Sequence, residues 1–313
     1  MASTAPYVKL MRPVNSFMAG AAAIIGLLIT SQLSPDVDAA KVALLFASTF
    51  LLSSSSMAMN DYFDREVDAI NQPQRPIPSG EVKPQKALAF SVALMATGLA
   101  LSPLISLEAL AIAVFACATF TAYNGRLKKH GLIGNACVSL CVALTFVYGA
   151  SATGSIKGIV VLFSAMAFLA NMGREVVKGI ADVEGDRIRG VRTLAVSRGP
   201  RVAAEVAYAF MVSAVALSFA PIGLGYVNWL YPPLILVADV GLLASSLMAL
   251  SSPTAEGAVK SKKLMLIFMG LALIAFMIGC AQSLMPCASQ SIAPSTPRGP
   301  LSISTRPTAS ALP

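Results

Sequence analysis

A bundle of nine membrane-crossing helices, all-α, is the fold class this sequence predicts, and three observations predict it. Of 313 residues, 56% are hydrophobic and only 12% charged, too little polar surface to cover the core of a water-soluble domain. Apolar runs of about 18 to 25 residues, the length a helix needs to cross the hydrocarbon, recur along the chain. Lys and Arg gather in alternate connections, as they do on the cytoplasmic side of membrane proteins with short loops.

The nine runs lie near residues 13–32, 41–60, 84–104, 106–124, 132–151, 156–177, 201–221, 228–250 and 262–284. Arg12-Pro13-Val14-Asn15 opens the first, with Pro suited to a first helical turn and Arg12 at the membrane edge. This run leads straight into further spans without a cleavage region, so it is a retained helix and not a signal peptide. The basic segments holding Lys9 and Arg12, Arg65 to Lys86, Arg126 to Lys129, Lys178 to Arg201, and Lys260 to Lys263 all fall on one side. The opposite connections hold little beyond Lys41 and Lys157. The expected protein is therefore a multi-pass protein of the cell membrane with a cytoplasmic amino terminus and an outside carboxyl terminus. Its central cavity faces the cytoplasm. A membrane domain over 1–285 is followed by a Ser/Pro-rich stretch, 286–313, that lacks the apolar periodicity of a packed core and is expected to be disordered.

The formal net charge of +8 does not point to nucleic acid, because the basic residues sit in short loops beside apolar helices, where orientation explains them. Cys117, Cys137, Cys141, Cys280 and Cys287 form no CxxC pattern, and His130 has no second histidine to share a metal with. Zinc chemistry is excluded on those grounds.

Two acidic stretches organise the rest. Asn60-Asp61-Tyr62-Phe63-Asp64-Arg65-Glu66-Val67-Asp68 follows the second run, and Asp182-Val183-Glu184-Gly185-Asp186 follows the sixth. Steps of three and four residues put Asp61, Asp64 and Asp68 on one helix face and Asp182 and Asp186 on another. Carboxylates packed this closely repel one another unless cations neutralise them, and Mg²⁺ takes oxygen ligands while sharing its shell with phosphate. The inferred substrate is a diphosphate. Either stripe alone is also explained by solvated carboxylates at helix ends; the pair, each followed by an Arg-bearing loop, carries the functional reading.

Cations accompany the stripes. Arg12 reads equally as a snorkelling anchor or a ligand, whereas Asn15, a turn deeper, is harder to explain as an anchor. The segment 69–83, with Pro73, Pro76, Pro78, Gly80 and Arg75, cannot be one helix and reads as a cover over the site. Tyr123 and Lys128, ending the fourth run, fit either an interfacial belt or contact with the diphosphate. Arg174, Lys178, Asp182 and Asp186 recur every four residues, so cations and anions are expected to share one helix face over three turns. Arg187, Arg189, Arg192, Arg198 and Arg201, broken by Gly190 and Gly199, read as a second cover. The 121-residue separation of Asp61 and Asp182 suggests four helices plus four, with an appended ninth.

At NDYFDREVDAINQPQRPIPSGEV (60–82) and DVEGDRIRG (182–190) the chain resembles the UbiA superfamily of intramembrane prenyltransferases, over roughly residues 7–285. Within it, REVVKGIADVEGDRIRGVRTLAVSRG (174–199) is most similar to the archaeal ether-lipid branch, the digeranylgeranylglyceryl phosphate synthases. The resemblance implies that Asn60, Asp61, Asp64, Asp68, Asp182 and Asp186 bind Mg²⁺ and the diphosphate of an isoprenoid donor, with the five aspartates as catalytic metal ligands. It matches Tyr123 and Lys128 to the family's tyrosine-lysine element. Arg12, Asn15, Arg65, Arg75, Arg174 and Lys178 complete the expected substrate contacts. The implied reaction moves a geranylgeranyl group from geranylgeranyl diphosphate to geranylgeranylglyceryl phosphate, with membrane lipids around the enzyme and no nucleic acid involved. An aromatic acceptor, such as 4-hydroxybenzoate or another quinone or chlorophyll precursor, is the alternative within the superfamily. A secondary transporter is the alternative outside it, although transporters keep such charges near the midplane and not clustered at one edge.

Overall fold

The computed structural model describes residues 4–31, 38–188 and 190–281. The stretch 286–313, Cys287 and Arg189 lie outside the described residues. Thirteen α-helices follow one another among the described residues, and no strand does. They are α1 (Ala5–Met11), α2 (Pro13–Thr30), α3 (Ala39–Asn71), α4 (Pro84–Leu101), α5 (Leu107–Gly125), α6 (Leu132–Ser151), α7 (Gly158–Ala181), α8 (Val183–Ile188), α9 (Leu194–Arg198), α10 (Pro200–Ser218), α11 (Ala220–Gly223), α12 (Tyr231–Ser251) and α13 (Ala255–Gly279).

Nine of these segments are long and apolar enough to cross a membrane, counting α4 and α10 with their short continuations. The chain is a multi-pass membrane protein. Its outward faces carry large apolar side chains, among them Leu104, Leu107, Leu236 and Val237, as lipid contact requires and water would not tolerate in such number.

The helices form a ring. α3 packs along α4 and against α2 and α5; α6 joins α2, α5 and α7; α7 meets α10; and α12 packs between α10 and α13. Here the structure departs from the expected appended ninth helix. α13 packs against α7 and α2 as well as α12, so it closes the ring and forms cavity wall. Its predicted start was also late, because Thr254 caps its first turn by accepting from the Gly257 amide and helix begins at Ala255.

Small residues let the ring close tightly. A side chain at Gly26 of α2 would collide with the Phe146 carbonyl of α6, and one at Gly149 of α6 would collide with the Ala23 carbonyl of α2. The two backbones therefore meet through paired glycines, the usual way to bring membrane helices into close contact. Next to this crossing Phe163 stacks on Phe276, centroids 4.0 Å apart, joining α7 to α13.

The second expected span runs further than its apolar stretch. α3 continues for 33 residues to Asn71, so the first acidic stretch lies inside the helix. α7 does the opposite: it stops at Ala181, Asp182 caps it, and α8 resumes from Val183. The face shared by Arg174, Lys178, Asp182 and Asp186 is therefore broken at Asp182, although the Asp186 amide still donates to the Asp182 carbonyl at 3.0 Å. The break turns α8 toward α3, where Gly185 leaves room for the Asn71 and Val67 side chains. Asn71 Nδ2 donates to the Asp182 carbonyl at 3.3 Å and ties the two acidic stretches together.

Candidate active site

Inside the ring lies a cavity of about 610 Å³. Its body is apolar, walled by Met18, Ala22, Leu52, Ile112, Phe146, Met166, Ile235, Leu242 and Phe276 among others. Its mouth is charged, and Arg12, Asn15, Asn60, Asp61, Arg75, Tyr123, Arg174, Glu175 and Lys178 all line it. A smaller cavity adjoins it. Asp64, Asp68, Asp182 and Asp186 line this second space with Lys128, and the two share Asn60, Arg75, Tyr123, Glu175 and Lys178.

Residues from both acidic stretches, 114 or more positions apart in sequence, thus meet in one small space. Asp61, Asp64, Asp68 and Asp186 are buried, where unpaired carboxylates would be costly. Each carboxylate of the first stretch has a cation. Arg12 pairs with Asp61, Lys128 pairs with Asp64, and Arg75 bridges Asp61 at 3.2 Å and Asp68 at 2.5 Å.

Local backbone places these cations. Arg12 stands at the kink between α1 and α2 with φ 45° and ψ 68°, the one non-glycine residue with positive φ among those described. A left-handed conformation costs an ordinary residue about 1–2 kcal/mol; here it aims the guanidinium back at Asp61. Burial works against the Arg12 charge, but Asp61, with Asp68 and Asp64, outweighs it and holds the proton more firmly than usual. Arg75 is delivered by the segment after α3, whose Ile77 and Val82 pack with Leu10, Ala58 and Ala87. This segment is therefore packed into the fold. On the far side the Arg192 amide donates to the Lys129 carbonyl at 3.3 Å, and Thr193 lines the smaller cavity.

Asn60 donates to Asn124 Oδ1 at 3.1 Å, and Tyr123 is buried with the Lys128 ammonium 6.0 Å from its ring centroid. Asp186, beyond the end of α7, is pushed up to about 6 by burial, with Lys128 pulling the other way and Asp182 adding to the rise.

Arg65 is not brought to either cavity. It lies over the Tyr62 ring, 4.9 Å from the centroid, and pairs loosely with Glu66 at 3.7 Å, because one residue past Asp64 is a different helix face. Conversely, Glu175 was not foreseen. It is buried beside Arg174 and Lys178, at 3.3 and 3.2 Å. A lone acid between two cations in an apolar run was its sequence signal. Asn124, next to the expected Tyr123, was missed for lack of charge.

Among the described residues no three acidic, His or Cys side chains converge as a ready metal cage. The donor set nevertheless fits Mg²⁺: five aspartates offering oxygen only, with lysines alongside. Mg²⁺ keeps waters and shares its shell with phosphate instead of needing an all-protein cage.

The sequence model of the UbiA prenyltransferase family matches residues 19–269. A digeranylgeranylglyceryl phosphate synthase of Natronomonas pharaonis is 40% identical over 247 residues, covering 79% of this chain and 88% of that protein. A solved structure of a digeranylgeranylglyceryl phosphate synthase superposes with a TM-score of 0.69 at 34% identity, over 90% of this chain and 100% of its own. A UbiA homolog from Archaeoglobus fulgidus, solved with GPP and Mg²⁺, has a TM-score of 0.63 at 19% identity, covers 87% of this chain and 99% of its own, and shares the fold.

Proposed function

The chain belongs to the UbiA prenyltransferase family, and from that premise we propose that it transfers a geranylgeranyl group from geranylgeranyl diphosphate to geranylgeranylglyceryl phosphate, building an archaeal-type ether lipid. The observation that carries the reading is the polarity of the site: a cavity of about 610 Å³ with an apolar body and a charged mouth adjoins a smaller space where both acidic stretches meet their cations.

Asp61, Asp64, Asp68, Asp182 and Asp186 hold Mg²⁺. When bound, the metal neutralises charge on the diphosphate as it leaves. The chain's own residues do the rest. Arg75 and Lys128, placed between the acidic stretches, bind diphosphate oxygens and stabilise the charge that builds there as the carbon–oxygen bond breaks. The prenyl chain lies along the apolar walls, which keep water from the allylic cation until the acceptor hydroxyl reaches it; the ether bond forms as that hydroxyl gives its proton to the released diphosphate. Asn60 and Tyr123 border both cavities and orient the donor between them. Arg174 and Lys178, with Arg12 across the mouth, hold the acceptor's phosphate. The mouth faces the cytoplasm, the amino terminus lies on that side and the carboxyl terminus on the other; the one-sided Lys and Arg support this orientation.

The density of cations favours a phosphorylated acceptor over an aromatic acid, which needs one cation and a flat apolar slot. A product assay decides it, using purified protein, labelled geranylgeranyl diphosphate and three acceptors: geranylgeranylglyceryl phosphate, its dephosphorylated alcohol and 4-hydroxybenzoate. The expected product is the doubly prenylated glycerol phosphate, formed only with Mg²⁺ present. Efficient prenylation of 4-hydroxybenzoate without the glycerol phosphate product would transfer the assignment to the aromatic branch.

A further inference from the structure

The last membrane helix carries a charge that neither the fold nor the donor site uses. Lys260, Lys262 and Lys263 read in sequence as one group of anchoring cations, but a helix rotates about 100° per residue and separates them. Lys260 pairs with Glu256 at 2.8 Å on the exposed surface, and Lys263 is exposed too. Lys262 is turned into the central cavity, where it makes no ion pair or hydrogen bond among the described residues.

α13 packs on α7, and this brings Lys262 to the side of the cavity that Arg174 and Lys178 also line. Those two cations share one carboxylate, Glu175, at 3.3 and 3.2 Å. The Nε of Arg174 is buried and has no hydrogen-bond partner among the described residues. The other charges that Lys262 feels, Arg75 and Asp182, belong to the donor side: Arg75 is taken by Asp61 and Asp68, and Asp182 lines the acidic cavity. Arg174 and Lys178 share Glu175, and the carboxylate that acts on Lys262 is Asp182; three cations against two carboxylates leave one positive charge in excess. A phosphate monoester carries about −1.5 to −2 at neutral pH and presents three acceptor oxygens.

We propose that Lys262 is a specificity residue: with Arg174 and Lys178 it forms a site for a phosphate monoester on the acceptor, separate from the diphosphate site between the two acidic stretches. The identity of that acceptor rests on the prenyl-transfer reading; the phosphate chemistry rests on the three cations. Lys262 donates to the phosphate from α13 while Arg174 and Lys178 donate from α7. An acceptor without the phosphate leaves the three cations with only Glu175 and Asp182 to balance them.

The test measures binding of geranylgeranylglyceryl phosphate and of its dephosphorylated alcohol to full-length protein in detergent, for wild type, Lys262→Met and Lys262→Arg, with thermal melting as a control for folding. Loss of one charge-assisted contact predicts about 10- to 100-fold weaker binding of the phosphate by Lys262→Met. Binding of the alcohol is unchanged, and Lys262→Arg restores most of the loss. In turnover the KM for the acceptor rises while the KM for geranylgeranyl diphosphate does not. Should Lys262→Met fail to fold, Lys262→Gln takes its place. Equal phosphate binding by wild type and the variant, or equal losses for phosphate and alcohol, overturns the assignment. A wild type that binds the phosphate through Lys262 yet forms no product defeats the prenyl-transfer reading and leaves the site standing. Product formation with no dependence on Lys262 does the reverse.

Discussion

Asp64 and Asp182 come from stretches far apart in sequence and line the same small cavity, so each tests the metal reading from its own side. Asp64→Ala and Asp182→Ala should each lower kcat by about 100- to 1,000-fold, the usual cost of removing one group that stabilises a leaving anion. Size exclusion and melting should show both variants folded, and wild-type turnover persisting in EDTA would end the metal reading. Asp186 adds a pH dependence. Its carboxyl is pushed up to about 6, by burial first, so a proton competes for it at a higher pH than for an ordinary carboxylate. Mg²⁺ affinity should be level above about pH 7 and fall toward tenfold per pH unit below about pH 6. Calorimetric titrations at pH 5, 6 and 7.5 measure this, and a flat profile contradicts it. At this scale much of the site was legible. Asp61, Asp64 and Asp68 announced a shared face by spacing alone, and the structure places them on the cavity side of α3. Arg65 belongs to the charged motif but to another helix face, over Tyr62, and Glu175 falls outside the four-residue series of Arg174, Lys178, Asp182 and Asp186, so spacing alone gave it no place.

Helix ends and crossings set the next scale. Gly26 and Gly149 bring α2 and α6 together backbone to backbone, so Gly149→Ala must push the helices apart. A loss of about 1–3 kcal/mol is expected, read as a lower melting temperature in detergent, and an unchanged melt would mean that the crossing yields freely. Lys41 and Lys157, the exceptions to the one-sided basic pattern, also have an explanation at element scale. Lys41 donates to the Ala152 carbonyl at 2.7 Å, just past α6, and Lys157 to the Ile29 carbonyl at 3.3 Å in the last turn of α2. Each cation meets the negative end of a helix dipole. Apolar length alone exposed the spans, because a helix in hydrocarbon must be continuous and apolar. The break at Asp182 was not legible, since four-residue spacing fits a continuous helix as well as a broken one. Nor was the place of α13, because packing against α7 and α2 leaves no local mark on its sequence.

For the whole molecule, function depends on bringing a water-soluble headgroup and an apolar chain into one enclosed space. The segments at 69–83 and 190–199 border the charged spaces: Arg75 lines both cavities and Thr193 the smaller one. Hydrogen exchange with Mg²⁺ and a non-hydrolysable analogue of geranylgeranyl diphosphate should slow in both segments more than elsewhere. Equal exchange with and without the analogue would rule out a cover. The ion pairs at the mouth carry a thermodynamic consequence. Asp61, Asp64 and Asp68 already hold Arg12, Arg75 and Lys128, so a dication alone must separate bound pairs, and a diphosphate alone meets cations that already have partners. Arriving together, they exchange all the partners at once, and each offsets the cost of admitting the other. Linkage is reciprocal: Mg²⁺ should raise the affinity for the analogue by the same factor as the analogue raises the affinity for Mg²⁺, about 5- to 150-fold. Titrating each with and without the other measures both factors, and independent isotherms would remove the coupling. Such a site is a coincidence detector, answering to a metal-bearing diphosphate and largely indifferent to either component on its own.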